Sequence, residues 1–370
     1  MNEDKIFTEN PESELWRELL QYSYKANVER YFKDHSLTGD DKVIDSIIGS
    51  FLQANEYYKA STNANLQIAP LLIYYGTTNL LFGMTSLFTG EICEIHNHGM
   101  KPNSSTIKNY IAEASITFEN RQNGGIHKFA YSLGYNEDLT QYGSWELKEF
   151  IASIAELNAD YKKCYSQNCG NVLMLDLFNT PDGKVEKIYY DSTIVNDLIN
   201  VINNVEGIDK AYLRLQKGKD RDGTEYFILR HKMNGKEIYK VSFSGQPYLQ
   251  AGHRKNGRLI TIPTILNMYI SLFITGSLCR YHPEIWSPFV LNDMTGEKLL
   301  IEKLLYYARR IIPNIVLNTI YDKQITYVTE KYEPKETIKL VGEHDVQELV
   351  KKEIYIQSQK NRILQEQRKE

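Results

Sequence analysis

The chain lacks most of the features that identify a protein quickly. Four cysteines in 370 residues exclude a disulfide scaffold, and Cys93, Cys164, Cys169 and Cys279 are expected to be reduced thiols. Charge of one sign is also missing: 43 basic against 47 acidic residues give a net charge of -4, and the pI is near 6.1. No general field draws nucleic acid, so general DNA binding is not expected. The opening residues MNEDKIFTENPESE are acidic and polar, without a basic start or an apolar signal segment, which points to the cytoplasm. Repeats of fixed period and low-complexity tracts are absent. So are the phosphate-cradling Gly-x4-Gly-Lys-Ser/Thr loop, the Gly-x-Ser-x-Gly elbow, the dinucleotide fingerprint and the His-Glu-x-x-His zinc motif, and no cofactor is expected.

What the chain does have is two long stretches without any formal charge. Residues 60–90 and 259–279 contain no Asp, Glu, Lys or Arg, although 24% of the chain is charged. Ionised side chains are rarely buried unpaired, so these runs read as core. Each is long enough for a bilayer span. However, the first contains Asn63, Asn65, Gln67, Pro70 and Asn79 with Gly76 and Gly83, and the second holds Pro263 and Asn267. Both are therefore read as buried helices of a soluble protein with no membrane association. If the runs pack together, the histidine-bearing motifs that follow them, Cys93-Glu94-Ile95-His96-Asn97-His98-Gly99 and Arg280-Tyr281-His282-Pro283-Glu284-Ile285-Trp286, are drawn towards one another.

The fold class expected is α+β: a helical body formed by the N- and C-terminal regions, with a mixed, hairpin-rich middle insertion. A first helix is read over Glu12 to Asp34. A second, capped by Asp40 or Asp41, carries Ile44, Ile47, Ile48, Phe51, Leu52 and Tyr58 at three-and-four spacing. A third starts at Pro70 and ends at Gly90. From residue 115 to 262 the turn pairs Asn123-Gly124, Asp182-Gly183, Asp222-Gly223, Asn234-Gly235 and Asn256-Gly257 signal hairpins. Strands are expected over 172–178, 185–190, 211–215, 226–231 and 237–243, with helical pieces over 144–161 and 193–204. Helices resume at Pro263 to Leu278 and Gly296 to Ile311. The boundaries drawn are 1–114, 115–262, 263–330 and a charged tail at 331–370. In that tail Val346, Leu349, Val350 and Ile354 form a stripe suited to a partner or to a solvated end. The 27 tyrosines are read as compositional bias.

Four chemistries compete for the polar residues. Arg280 and His282 can grip an anionic group such as phosphate, or Arg280 can simply neutralise the carboxyl end of its own helix. Ribonucleases of the all-helical HEPN type use Arg-x4-6-His, matched by Arg30 to His35 and by Arg121 to His127, and Arg280 with His282 is a further candidate pair. Cys93, His96 and His98, with Cys164 and Cys169, offer soft ligands, but the spacing fits no known zinc finger and no metal is expected. The run Gly218-Lys219-Asp220-Arg221-Asp222-Gly223 suggests a calcium or phosphate loop, yet its place between two strands makes it a charged hairpin tip.

Several segments together resemble the YaaC-like family of bacterial proteins. They are Gln53-Ala54-Asn55-Glu56-Tyr57-Tyr58-Lys59-Ala60-Ser61, Ala69-Pro70-Leu71-Leu72-Ile73-Tyr74-Tyr75-Gly76 with Asn79-Leu80, His98-Gly99-Met100-Lys101, and Ser277-Leu278-Cys279-Arg280-Tyr281-His282-Pro283-Glu284 with Trp286. Gln53, Pro70, Tyr74, Tyr75, Gly76, His98, Gly99, Arg280, Tyr281, His282, Pro283 and Trp286 are the motif positions. The resemblance implies a bacterial cytoplasmic protein and supplies no reaction. The expectation is an interaction or ligand-sensing protein with other protein subunits as partners, able to form a homo-oligomer, in antiphage defence or a nucleotide-linked stress response. Its ligand, anionic or a nucleotide, is expected at His98, Arg280, Tyr281, His282 and Tyr75. A metal-independent ribonuclease is the alternative.

Overall fold

The structure is a computed structural model that describes residues 3–119, 124–165, 170–180, 183–190, 195–220, 222–232 and 238–328. In chain order its main elements are β1 (Glu3–Phe7), α1 (Pro11–Leu19), α2 (Lys25–Asp34), α3 (Asp41–Thr62), α4 (Ala69–Thr89), β2 (Met100–Asn103), β3 (Ser115–Phe118), α5 (Gly125–Ser132), β4 (Ser144–Glu146), α6 (Leu147–Ile151) and α7 (Asn158–Cys164). They continue with β5 (Val172–Met174), β6 (Asp176–Thr180), β7 (Gly183–Tyr190), α8 (Val195–Asn203), α9 (Ile208–Ala211), β8 (Tyr212–Lys219), β9 (Glu225–His231), β10 (Lys240–Val241), β11 (Pro247–Gln250), β12 (His253–Lys255) and β13 (Arg258–Ile260). The last are α10 (Thr264–Tyr281), α11 (Pro283–Asn292), α12 (Glu297–Tyr321) and β14 (Gln324–Val328). The architecture is mixed α+β, as the sequence implies. Its described residues divide into two compact units, the first drawn from within 3–174, 195–206 and 239–328, the second from within 175–190 and 207–238.

The first unit is built on α3, α4, α10 and α12. Asp40 caps α3 by accepting the Val43 amide at 2.9 Å, and Gly90 ends α4 in the left-handed region at φ 68°. The α3–α4 seam is an aromatic-on-glycine fit. A Cβ on Gly76 would lie 2.7 Å from the Tyr58 ring, and one on Gly83 would lie 3.0 Å from Phe51. Both pairs are seven residues apart, two helical turns, and they match in opposite chain directions. Tyr58 also shares a hydrogen bond with Thr77 at 2.8 Å.

α10, uncharged as far as Cys279, is buried from Ile265 through Leu278. Two of its hydroxyls find partners within the helix: Ser271 donates to the Asn267 carbonyl at 2.7 Å and Thr275 to that of Ser271 at 2.9 Å. Such back-bonding lets a polar residue sit in a dry core. No described helix is long and apolar enough to cross a membrane. Around this body lie the sheets β2-β3-β4, β10-β11-β5 and β12-β13, and a parallel β1-β14 pair that joins the two ends of the unit.

The second unit is an antiparallel sheet in the order β6-β7-β9-β8. Gly218 and Lys219 end β8, Arg221 lies outside the described residues, and before β9 Gly223 adopts φ 93° and donates to the Asp220 carbonyl at 3.0 Å. In the first unit Asn256 and Gly257, at φ 49° and 77°, turn β12 into β13, as an Asn-Gly hairpin requires.

Four elements differ from the sequence reading. The helix expected over 12–34 breaks at a 3-10 turn, Leu20–Ser23, because Tyr22 is buried against Phe51 with ring centroids 5.7 Å apart. The helix expected over 144–161 begins as β4, since Trp145 pairs with Ile116 and is fully buried. The strand expected over 172–178 is divided: Val172–Met174 pairs with β11, whereas Asp176–Thr180 pairs with β7. Of the strand expected over 237–243 only Lys240–Val241 forms among the described residues. Residues 342–370, Arg121, Cys169 and the Asn234-Gly235 turn lie outside the described residues.

Candidate functional site

The two uncharged runs do pack together, and they run antiparallel. Tyr74 of α4 meets Tyr269 and Phe273 of α10 at centroid distances of 5.5 and 5.7 Å, while Cys279, further along α10, reaches back to the carbonyl of Gln67 at 2.7 Å. The two helix exits are therefore at opposite ends of the pair. Between Tyr74 and Thr89 α4 advances about 23 Å. The segment 90–98, which spans up to about 30 Å when extended, is long enough to climb back. It does so, and His98 arrives beside the first turns of α4.

Gly99 makes that arrival specific. It turns at φ 72°, its amide donates to Asn97 Oδ1 at 2.7 Å, and a Cβ there would lie 2.9 Å from the Gly124 Cα. The carbonyls of Asn97 and His98 accept the Gly125 and Ile126 amides at 2.9 and 3.1 Å. The first turn of α5 thus pins the histidine.

His98 Nδ1 lies 2.7 Å from the Tyr74 hydroxyl, which lies 3.4 Å from that of Tyr269. Burial pushes the Tyr74 phenol far above the usual tyrosine range, so it keeps its proton. When that proton is donated to His98 Nδ1, the neutral ring carries its own proton on Nε2. Burial and then the Arg280 guanidinium hold His98 below the usual histidine range, so the neutral ring is favoured.

Arg280, exposed at the end of α10, donates to the Tyr75 hydroxyl and lies 4.9 Å from the centre of the neighbouring Tyr281 ring. No carboxylate pairs with it among the described residues. Tyr75 is itself braced by Tyr57 and Tyr74 at 5.8 and 5.6 Å. Arg280 thus meets Tyr75 and Tyr281 directly, and His98 sits on the adjacent Tyr74, within electrostatic range of the guanidinium. A guanidinium held by one hydroxyl and one ring, with donors to spare, is suited to an oxyanion.

The other candidates sit elsewhere. His282 caps the α10–α11 junction, with Nδ1 3.1 Å from Glu284 and Nε2 3.4 Å from Ser104. Trp286 donates to the Leu66 carbonyl at 3.2 Å, a structural tie. Arg30 is exposed on α2, and His35 ends that helix stacked on Tyr31 at 3.9 Å. Five residues at about 100° each set Arg30 and His35 about 140° apart around the axis. His127 is on α5, and its match Arg121 is outside the described residues. Cys93 is buried, whereas His96 is exposed, and Cys164 bonds towards the Thr295 carbonyl at 3.7 Å. Among the described residues no group of three or more His, Cys, Asp or Glu is placed to hold a metal.

One constellation has no counterpart in the sequence reading. Ser153 Oγ lies 2.9 Å from His253 Nε2, and His253 Nδ1 lies 3.8 Å from Glu149, the order of a nucleophile, base and acid. Burial decides against catalysis: Ser153 is 2% and His253 9% exposed. The Asn171 amide also bonds the ring at 3.0 Å, and Glu149 is held by Lys255 at 2.7 Å. This is a clasp between the end of α6 and β12. Ser153 follows Glu149 by one helical turn, but nothing in the sequence points to a histidine 100 residues further on.

A family model described as YaaC-like Protein matches residues 12–320. The chain belongs to that family. Neither a curated protein nor a solved structure matches it.

Proposed function

We propose that this member of the YaaC-like family is a cytoplasmic ligand-binding protein whose Arg280, Tyr75 and His98 receive an anionic group, such as the phosphate of a nucleotide. The observation that carries the reading is Arg280 itself: an exposed guanidinium with a hydroxyl support and no carboxylate partner among the described residues, close enough to lower the pKa of His98. In this reading Arg280 offers its remaining N–H donors to two oxygens, and His98 Nε2–H adds a third donor without adding charge. Tyr74 keeps the imidazole in the donating tautomer. Tyr281 shields the guanidinium from water on one side.

Calorimetric titration with pyrophosphate and ATP tests it. Saturable binding lost in Arg280→Gln supports the reading, and binding that is unchanged in that variant removes it. The ribonuclease reading has less behind it, because Arg30 and His35 point apart around their helix and His282 is engaged by Glu284 and Ser104. Intact RNA after incubation with the protein in chelator is the expected result. Association with other subunits or with a second copy belongs to the same proposal. Co-purification from the native cell decides it, together with the setting, antiphage defence or a nucleotide-linked stress response.

A further inference from the structure

The rings near Arg280 are used unequally. Tyr74 is buried against His98, Tyr269 and Phe273. Tyr75 is half-buried between Tyr57 and Tyr74, and its hydroxyl accepts from the guanidinium. Tyr281 is the exception. It is the last residue of α10 and is 61% exposed, and among the described residues no other ring packs on it. What lies over it is the Arg280 guanidinium, 4.9 Å from the ring centre.

A single exposed tyrosine calls for no explanation. One whose inner face is set over a guanidinium with donors to spare is a different case, because it places a stacking platform beside an anion holder. The end of α10 that carries both is well seated: one turn before Arg280, a Cβ on Gly276 would lie 3.6 Å from that of Tyr74. Flat groups stack at about 3.5 Å, so a ring on the outer face of Tyr281 sits roughly 8 Å from the guanidinium carbon. A ribose and its phosphates bridge that distance.

We infer, resting on the anion reading of Arg280, Tyr75 and His98, that the ligand is a nucleoside phosphate whose phosphates meet Arg280 and His98 and whose base stacks on the outer face of Tyr281. Tyr281 is then a binding residue as well as a cover for the guanidinium. Every base has a π-face, so the platform asks for a base without reading which one.

ADP and methyl diphosphate carry the same diphosphate ester and the same charge, and only ADP has a nucleoside. Both are titrated calorimetrically into the full chain, with the adenine H2 and H8 resonances followed by NMR. The native protein is expected to bind ADP at least about fivefold tighter than methyl diphosphate, with both adenine resonances moved upfield by the tyrosine ring. Tyr281→Leu should bring the affinity ratio close to one and abolish the upfield shift. Tyr281→Phe restores a ring without the hydroxyl and should keep both. Equal affinity of the native protein for the two ligands, or an ADP advantage that survives in Tyr281→Leu, overturns the inference and leaves the anion reading standing. Binding of neither ligand removes both.

Discussion

The two halves of α4 have opposite surroundings. At its N-terminal half the polar side chains are already engaged, Tyr74 with His98 and Tyr75 with Arg280, and the unspent capacity is a positive charge facing solvent. At its C-terminal half there is a cleft of about 320 Å³, and the nearby Thr85 and Tyr135 hydroxyls are sealed without a hydrogen-bond partner. One end presents charge to solvent, and the other closes polar groups away from it. α5 serves both, its first turn fixing His98 and its body lining the cleft.

The comparison depends on α4 being held rigidly, and the aromatic-on-glycine seam is where it can be broken most severely. Gly76→Ala should cost about 1–3 kcal/mol by overpacking against Tyr58 and weaken pyrophosphate binding at Arg280. Gly49→Ala, with nothing within 4 Å of the added carbon, should instead stabilise by about 0.5–1 kcal/mol. Denaturant unfolding of the two variants checks the contrast. Equal effects would mean that the seam does not bear on α4.

Histidine burial sharpens the same contrast between sealed and open polar groups. His253 is lowered by burial to about 4, from an unfolded value near 6.5. The unfolded chain therefore takes the proton first as pH falls, so stability is flat above about pH 6.5 and declines between there and about pH 4, by on the order of 3 kcal/mol. Glu297, raised by burial, works in the opposite direction. Comparing native protein with His253→Gln isolates the histidine, and an unchanged pH slope in that variant would contradict the assignment.

The next effect is smaller and confined to one end. Arg280→Lys keeps the charge but loses the planar fork, and about 1–2 kcal/mol of pyrophosphate affinity should go with it. Full retention would reduce the site to a point charge. The smallest effect belongs to the other end: Thr85→Val, without ligand, should raise stability by up to about 1 kcal/mol, because a hydroxyl that has no partner is removed. A loss measured by thermal unfolding would show that this hydroxyl is satisfied.

The uncharged runs, the Asp40 cap and the Gly90 stop could be read from the sequence, because burial, capping and left-handed turns each select residue types directly. His98 and Arg280 stood out because both follow a run that tolerates no charge. The antiparallel sense of α4 and α10 was not legible, since an apolar stripe specifies a contact without its direction. It determines that His98 comes to Tyr74 by folding back, while His282 lies against Ser104. The break at Leu20–Ser23 was hidden for a related reason: Tyr22 fits a helical pattern and is drawn inward by Phe51. The cleft left no trace in the sequence, because Thr85, Cys93 and Tyr135 read as ordinary helix and loop residues until the space between them is formed.

The central claim is that Arg280 and His98 act on one ligand, and the ring titration of His98 by NMR tests it most directly. The account predicts a pKa below about 6.5 in the native protein, a rise in Arg280→Gln as the neighbouring charge is removed, and a rise in the native protein on adding pyrophosphate. A His98 titration that ignores both the substitution and the pyrophosphate would contradict it.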